Sequence, residues 1–285
     1  MAIKLNKFDP HILNEKRKSY GPATCVFLGR RGAGKSTLVS DILYHVRKIP
    51  CSMVISGTED GNSFYSRHVP DLFIHSEFSP ILVKQFVERQ KCLISKFDAN
   101  ADGETKMKAD AILLLDDLMY DSKAVVNDKT VRSIFMNGRW YRIMCMMTAQ
   151  YCMDIPPGLR GNVDYLFILK ENIVESQKKL YKHFFGMFPT FDMFRSVLMQ
   201  CTENYECIVL DNTSKSNKIE DCVFWYKAIP NREFKVGSKG LWEYHFQNYD
   251  KNKSAGPKSL PEKGKTVGIN VKKSGKKITK DAKKK

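Results

Sequence analysis

No apolar stretch of this 285-residue chain approaches the ~18 residues that a membrane-spanning helix needs, so no crossing of a bilayer is expected. The opening Met1-Ala2-Ile3-Lys4-Leu5-Asn6-Lys7 lacks the apolar middle section of a secretory signal. Among the eight cysteines there is no C-x-x-C pair and no zinc-ligand spacing, which argues against a disulfide framework or a zinc module. Cys25 and Cys145 instead fall inside apolar runs, where a small buried thiol is the usual occupant. No internal repeat is visible, so solenoid and propeller architectures are excluded. These absences together lead us to expect a soluble protein of a reducing compartment.

Acidic residues are scarce at one end. The formal net charge is +16, but residues 251–285 carry thirteen lysines against only Glu262 and Asp281. Residues 1–18 add a smaller basic excess, and the body between them is close to neutral. The lysine-rich segment also contains Gly256-Pro257, Pro261, Gly264, Gly268 and Gly275, with no apolar periodicity. Such a composition buries too little surface to offset its ordering entropy, so a disordered tail is expected. It serves either as a solubilising extension or as an arm on nucleic-acid phosphates or an acidic partner. Its lysine pairs do not exclude nuclear import. The expected organisation is an N-terminal lead-in over 1–19, a folded body over 20–250 and the tail over 251–285.

What is present begins with Gly29-Arg30-Arg31-Gly32-Ala33-Gly34-Lys35-Ser36, a complete G-x-x-x-x-G-K-[ST] loop. Each fixed position has a physical reason. The glycines let the backbone turn with its N–H groups aimed at a polyphosphate. Lys35 places an ammonium on the β- and γ-phosphates, and the Ser36 hydroxyl is a ligand for Mg²⁺. The loop follows the apolar Cys25-Val26-Phe27-Leu28 and precedes helical spacing from Thr37 to Leu43. Strand, glycine loop and helix aim a helix N-terminus at an anion. ATP with Mg²⁺ is the expected ligand, held by residues 29–37.

Short apolar runs alternate with helical patterns through the body, which predicts an α/β fold with a mostly parallel sheet flanked by helices. Strands are expected over 24–28, 52–56, 72–75, 111–115, 144–148, 165–169, 206–210 and 223–228. Helices are expected over 35–47, 80–94, 129–136, 174–184 and 191–199. The polar stretch 96–108 reads as a surface loop. Strand-like runs around Trp225 and Trp242 have no assigned purpose beyond core packing.

Ala111-Ile112-Leu113-Leu114-Leu115 runs directly into Asp116-Asp117. An apolar strand ending in a carboxylate delivers metal ligation from the floor of a sheet, so Asp116 is the metal-side residue, acting directly or through water. Asp117 follows, where ATPases of the additional-strand (RecA-like) type usually keep a glutamate that orients or deprotonates water; the aspartate here reaches about one methylene less far. The next apolar run ends in Thr148-Ala149-Gln150. In that layout it lies between the loop strand and the acid strand, so Gln150 faces the γ-phosphate. An arginine offered to a neighbour's γ-phosphate would stabilise the transferring charge. Arg139 is the first choice and Arg160 the second.

The order and spacing of these elements resemble the genome-packaging ATPases of large nucleocytoplasmic DNA viruses, the poxvirus-type branch of the FtsK–HerA superfamily. The resemblance covers roughly residues 20–230. It rests on the glycine loop, Ile55-Ser56-Gly57-Thr58-Glu59 with Asn62-Ser63-Phe64-Tyr65, and Leu113-Leu114-Leu115-Asp116-Asp117. It continues through Gly138-Arg139-Trp140-Tyr141, Thr148-Ala149-Gln150 and Pro156-Pro157-Gly158-Leu159-Arg160-Gly161-Asn162-Val163-Asp164. It implies a homo-oligomeric ring that hydrolyses ATP to drive double-stranded DNA into a capsid, with capsid or vertex proteins as partners. Lys35 and Ser36 would then hold ATP·Mg²⁺ and Asp116 support the metal. Asp117 would activate water, Gln150 couple hydrolysis to movement, and an arginine of the adjacent subunit complete the site. Virion and host cytoplasm are the implied locations. The alternatives are a nucleotide-gated assembly protein that hydrolyses slowly, and a P-loop phosphotransferase.

Overall fold

The structure, a computed structural model, describes residues 4–97, 101–118 and 122–249. Its centre is made by the apolar runs. Strands β2 (Thr24–Leu28), β3 (Cys51–Ser56), β5 (Ala111–Asp116), β6 (Ile143–Ala149) and β7 (Tyr165–Ile168) are buried along their whole length. Strands covered on both faces read as continuous apolar runs instead of alternating ones, as this sequence does. With β1 (Asn6–Lys7), β4 (Ile74–His75), β8 (Glu206–Asp211) and β9 (Val223–Lys227) they form one sheet in the order β1-β9-β8-β7-β2-β6-β5-β3-β4. All neighbours are parallel except β8, which is antiparallel to β7 and β9.

Strand β6 lies between β2 and β5, pairing Leu28 with Ala149 and Leu115 with Met147. This is the additional-strand P-loop fold expected from the sequence. Parallel pairing brings the C-terminal ends of β2, β5 and β6 to one edge, where the glycine loop, Asp116-Asp117 and Gln150 begin.

Successive residues of a strand point to opposite faces, and two apolar clusters result. Cys25, Phe27, Leu114, Met144 and Met146 face helix α2 (Lys35–Val46), which contributes Leu38, Val39, Ile42, Leu43 and Val46. Each such side chain stabilises the fold by about 1.5–3 kcal/mol when fully buried. Val26, Leu28, Leu113, Leu115, Cys145 and Met147 face the other way. They pack with Val83 and Phe86 of the helix Pro80–Ile94, Ile134 of Lys129–Asn137, Leu180 of Val174–Phe184 and Phe194 of Phe191–Cys201.

Several segments differ from expectation for identifiable reasons. The lead-in is built into the body. Phe8 is 3% exposed and packs edge-on against Phe167, and helix α1 (Ile12–Ser19) buries Leu13 and Arg17. Arg17 and Arg142 meet the buried Asp110 carboxylate at 3.0 and 2.6 Å, which ties α1 to the entrances of β5 and β6. Part of the polar stretch 96–108 forms the helix Gly103–Met107, started by the Asp102 carboxylate accepting from the Thr105 N–H at 2.6 Å. The segment around Trp242 is the helix Lys239–Asn248, whose N-cap Ser238 accepts from Leu241 N–H and whose Trp242 indole donates to Val236 O. The lysine-rich tail expected to be disordered lies outside the described residues, as does part of the 96–108 stretch. Among the described residues no helix is long and apolar enough to cross a membrane.

Candidate active site

The phosphate loop leaves β2 at Leu28 and is held against β6 by Gly29 N–H donating to Ala149 O at 3.2 Å. A side chain at position 29 would stand 3.0 Å from Leu169 Cβ, so the close approach of loop and β7 needs glycine. Gly32 and Gly34 take φ of +78° and +99°, the left-handed region that reverses the chain into α2. Gly34 is the N-cap and has no side chain to satisfy the first turn, so those N–H groups face outward. Lys35 Nζ donates to Gly29 O at 2.6 Å and Arg30 O at 3.1 Å. Burial holds its ammonium below the ordinary lysine value, while Asp117 and Asp116 act in the opposite sense. Ser36 is exposed at the loop's mouth, Arg31 is exposed beside it, and Arg30 pairs with Glu171 at 3.2 Å.

Asp116, 4% exposed at the end of β5, is held by residues from three other elements. Thr148 of β6 donates to Oδ1 at 2.8 Å, the buried Tyr65 hydroxyl donates to Oδ2 at 2.8 Å, and Ser56 of β3 approaches Oδ2 at 3.5 Å. Burial raises the Asp116 carboxyl above its usual range, the Thr148 and Tyr65 hydrogen bonds draw it back, and Asp117 raises it further. Thr148 also accepts from Asp117 N–H at 3.0 Å, so one hydroxyl positions both acids. Asp117 itself adopts φ of +47°. That turn brings its carbonyl oxygen to 2.8 Å from where a Cβ on Gly57 would sit, which explains the glycine after β3.

Lys35, Ser36, Thr37, Asp116, Asp117 and Gln150 line one open cleft of about 460 Å³, together with the loop residues and Tyr205. The predicted phosphate, metal and water-side residues therefore converge. The oxygen donors suit Mg²⁺, a hard cation that keeps several waters and takes only one or two protein ligands. Ser36 offers a free hydroxyl, while Asp116 has a donor on each oxygen already, which favours contact through water. Consistent with that, no cluster of His, Cys, Asp and Glu forms a closed metal cage among the described residues.

Arg30 and Arg31 of the loop line the cleft, whereas Arg139, Arg142 and Arg160 do not. Arg139 forms an ion pair with Asp164, whose other oxygen accepts from Thr24 N–H at the start of β2, the end of the sheet opposite the phosphate loop. Arg160 is buried, donating to Ile155 O at 2.8 Å, and Arg142 is committed to Asp110. Sequence reasoning quoted Ser56, Tyr65 and Thr148 within the motifs of the resemblance but gave them no role of their own, and it left out Tyr205. For Thr148 the available signal was a hydroxyl beside Ala149-Gln150 in an otherwise apolar strand.

No protein-family model matches the chain. It is 37% identical over 248 residues to an uncharacterized protein of Acanthamoeba polyphaga mimivirus, covering 87% of both chains. It is 34% identical over 257 residues to an uncharacterized protein of Invertebrate iridescent virus 6, covering 88% of this chain and 96% of that one. The fold is similar to that of the genome packaging NTPase B204 of Sulfolobus turreted icosahedral virus 2 in complex with AMP. That likeness has a TM-score of 0.51 at 12% identity over 73% of this chain and 98% of the other. The DNA-packaging ATPase of Sulfolobus Turreted Icosahedral Virus gives 0.51 at 14% identity, covering 73% and 98%. The cytoplasmic domain of the Thermomonospora curvata Type VII secretion ATPase EccC gives 0.50 at 13%, covering 74% of this chain and 26% of that one. At such identities the likeness is one of fold.

Proposed function

The chain belongs to a family of P-loop proteins of large DNA viruses, shared with mimivirus and invertebrate iridescent virus 6, and we propose that it is the ATP-hydrolysing motor that packages viral double-stranded DNA into a capsid. The observation that carries this reading is the shared cleft. Lys35 and Ser36 from the loop, Asp116 and Asp117 from β5, and Gln150 from the strand between them line one cavity.

The chemistry follows from where these groups stand. Backbone N–H groups of residues 32–37 and the Lys35 ammonium, released from its loop carbonyls, bind the β- and γ-phosphates. Ser36, and Asp116 through water, would hold Mg²⁺, which neutralises charge on the phosphate oxygens. Asp117, turned outward by its left-handed backbone, accepts the proton of the attacking water. Gln150 holds that water and registers loss of the γ-phosphate. Thr148 fixes the spacing between the two acids, and its hydrogen bond favours the ionised form of Asp116 against burial.

Phosphoryl transfer also calls for a cation on the leaving charge, and none of Arg139, Arg142 and Arg160 stands in its own cleft. Arg139, whose side chain is 49% exposed, is the residue we assign to a neighbouring subunit's site, which makes a homo-oligomeric ring part of catalysis. Capsid or vertex proteins would dock the ring, and the lysines of residues 251–285 would touch DNA phosphates. The virion and the host cytoplasm are the corresponding locations.

The test is steady-state ATP hydrolysis with and without duplex DNA, with Lys35→Ala as the contamination control. Several-fold stimulation that disappears in the variant is the expected result. Hydrolysis indifferent to DNA overturns the motor reading and leaves a nucleotide hydrolase with another partner.

A further inference from the structure

A second cleft opens beside the phosphate site. It measures about 650 Å³, and Thr37, in the first turn of α2, lines both it and the phosphate cleft. Thr37 directly follows the Mg²⁺-side Ser36, so this cavity begins where a chain of phosphates seated in the loop ends. Its size falls in the range of small-molecule sites, about 300–1,000 Å³.

The walls carry two kinds of group. Phe64 and Phe234 offer aromatic surface, and Asn231 offers an amide that both donates and accepts. The segment bearing Asn231 and Phe234 is anchored in advance. Arg232 pairs with the buried Asp41 at 2.5 Å and lies 4.1 Å over the Tyr44 ring, while Phe234 stacks on His68 at 4.1 Å and 7°. A wall fixed this way orders little on binding, which favours a small ligand.

Tyr205 lines the phosphate cleft. Its ring stands 3.3 Å from the position a Cβ on Gly34 would take, directly over the phosphate loop, yet the residue is 73% exposed. Glu206 pairs with Lys227, so the Asn204-Tyr205 turn and the Ile229–Asn231 stretch leave the same end of β8 and β9. Asn204, Tyr205 and Asn231 all take positive φ, of 50°, 62° and 57°. A tyrosine in that region is uncommon and strained, and strain of this sort collects at ligand clamps. Glu206 N–H donates to Glu203 O at 2.9 Å, so Asn204 and Tyr205 are the two left-handed central residues of a tight turn, and that turn holds the Tyr205 ring exposed over the loop.

We propose that the nucleoside half of the site spans the two clefts beside Thr37, with Tyr205, on the phosphate cleft, as the stacking platform for the base and Asn231, on the second cleft, as the polar contact to its edge. The inference rests on the reading of residues 29–37 as a triphosphate loop and adds what the loop cannot supply, recognition of the base.

The test compares ATP with inorganic tripolyphosphate, each with Mg²⁺, binding to the full chain by titration calorimetry. Tyr205→Ala should weaken ATP about tenfold, the loss of one base–aromatic stack. It should leave tripolyphosphate unchanged, and Tyr205→Phe should bind as the wild type does. Asn231→Ala should weaken ATP alone. Lys35→Ala should weaken both ligands. Tyr205→Gly separates strain from packing: it should raise the melting temperature and still lose ATP affinity, which a structural tyrosine would not do.

If the wild type binds both ligands and Tyr205→Ala and Asn231→Ala change neither, or change both equally, the base lies elsewhere and this inference falls while the phosphate site stands. If the wild type binds neither ligand, the triphosphate reading falls with it. Loss of duplex DNA binding in Asn231→Ala at unchanged ATP affinity assigns the cleft to nucleic acid and overturns the proposal.

Discussion

Thr148→Val removes one hydroxyl and keeps the shape of a side chain that is only 6% exposed. Two hydrogen bonds go with it, the 2.8 Å donation to Asp116 and the 3.0 Å acceptance from Asp117 N–H. A bond to a carboxylate contributes about 1.5–3 kcal/mol, and the stranded, partly exposed peptide N–H adds about 1 kcal/mol. The expected loss is about 2–4 kcal/mol, or roughly 4–16 °C in melting temperature for a body of this size. The chemical effect is separate. Burial already raises the Asp116 carboxyl, and the Thr148 bond is the largest influence lowering it. Without that bond the carboxyl rises further and takes up a proton more readily. Hydrolysis should then need more Mg²⁺ for half-maximal rate, and the excess should be larger at the lower of two pH values, where the neutral acid gains population. Thermal melting and Mg²⁺ titrations at both pH values measure the two effects, and Thr148→Ser should restore both. A valine variant that melts with the wild type and has the same Mg²⁺ requirement at both pH values would refute the account of how the acids are held.

Other outcomes follow from particular contacts. Gly57→Ala drives a Cβ to 2.8 Å from Asp117 O, so the acid must move; hydrolysis should fall roughly ten- to a hundredfold with ATP affinity unchanged, as measured by paired kinetic and binding assays. Arg139→Ala should cost about 1 kcal/mol or less by denaturant melting, since the arginine is half exposed, and should lower hydrolysis only at protein concentrations where subunits associate. Burial holds His45, His68 and His75 below the ordinary imidazole value. The unfolded chain therefore binds more protons below about pH 6.5, and the stabilisation present above that value is lost as pH falls. Melting temperature should drop on acidification, and His68→Gln should flatten part of the drop.

The legible parts of this fold are those whose residue identity is dictated at short range. The glycine loop needs its glycines and lysine in one local turn, and β2, β5 and β6 are covered on both faces, so they stand out as apolar runs. From those runs the additional-strand order, and with it the meeting of Lys35, Asp116, Asp117 and Gln150, was foreseeable. Helix α1 was hidden because its sequence is mostly polar and its anchoring Leu13 and Arg17 meet partners far along the chain. Residues 239–248 were hidden because the helix start is set by the Ser238 cap and not by a clean apolar stripe. The support of Asp116 comes from Thr148, Tyr65 and Ser56, which are 32, 51 and 60 residues away and meet only through sheet topology. Arg139, read from the sequence as offered to a neighbour's γ-phosphate, precedes β6, and the entrance of a parallel strand lies at the opposite end from its own phosphate loop.

The central claim is that Asp117 acts on water in a cleft where Lys35 holds the triphosphate. Single-turnover ATP hydrolysis by Asp117→Asn, measured on enzyme shown to bind ATP as tightly as the wild type, tests it most directly. The account predicts full binding with turnover reduced by about 10²-fold or more, the loss of a positioned general base. Turnover at the wild-type rate would contradict it and move the catalytic base elsewhere in the cleft.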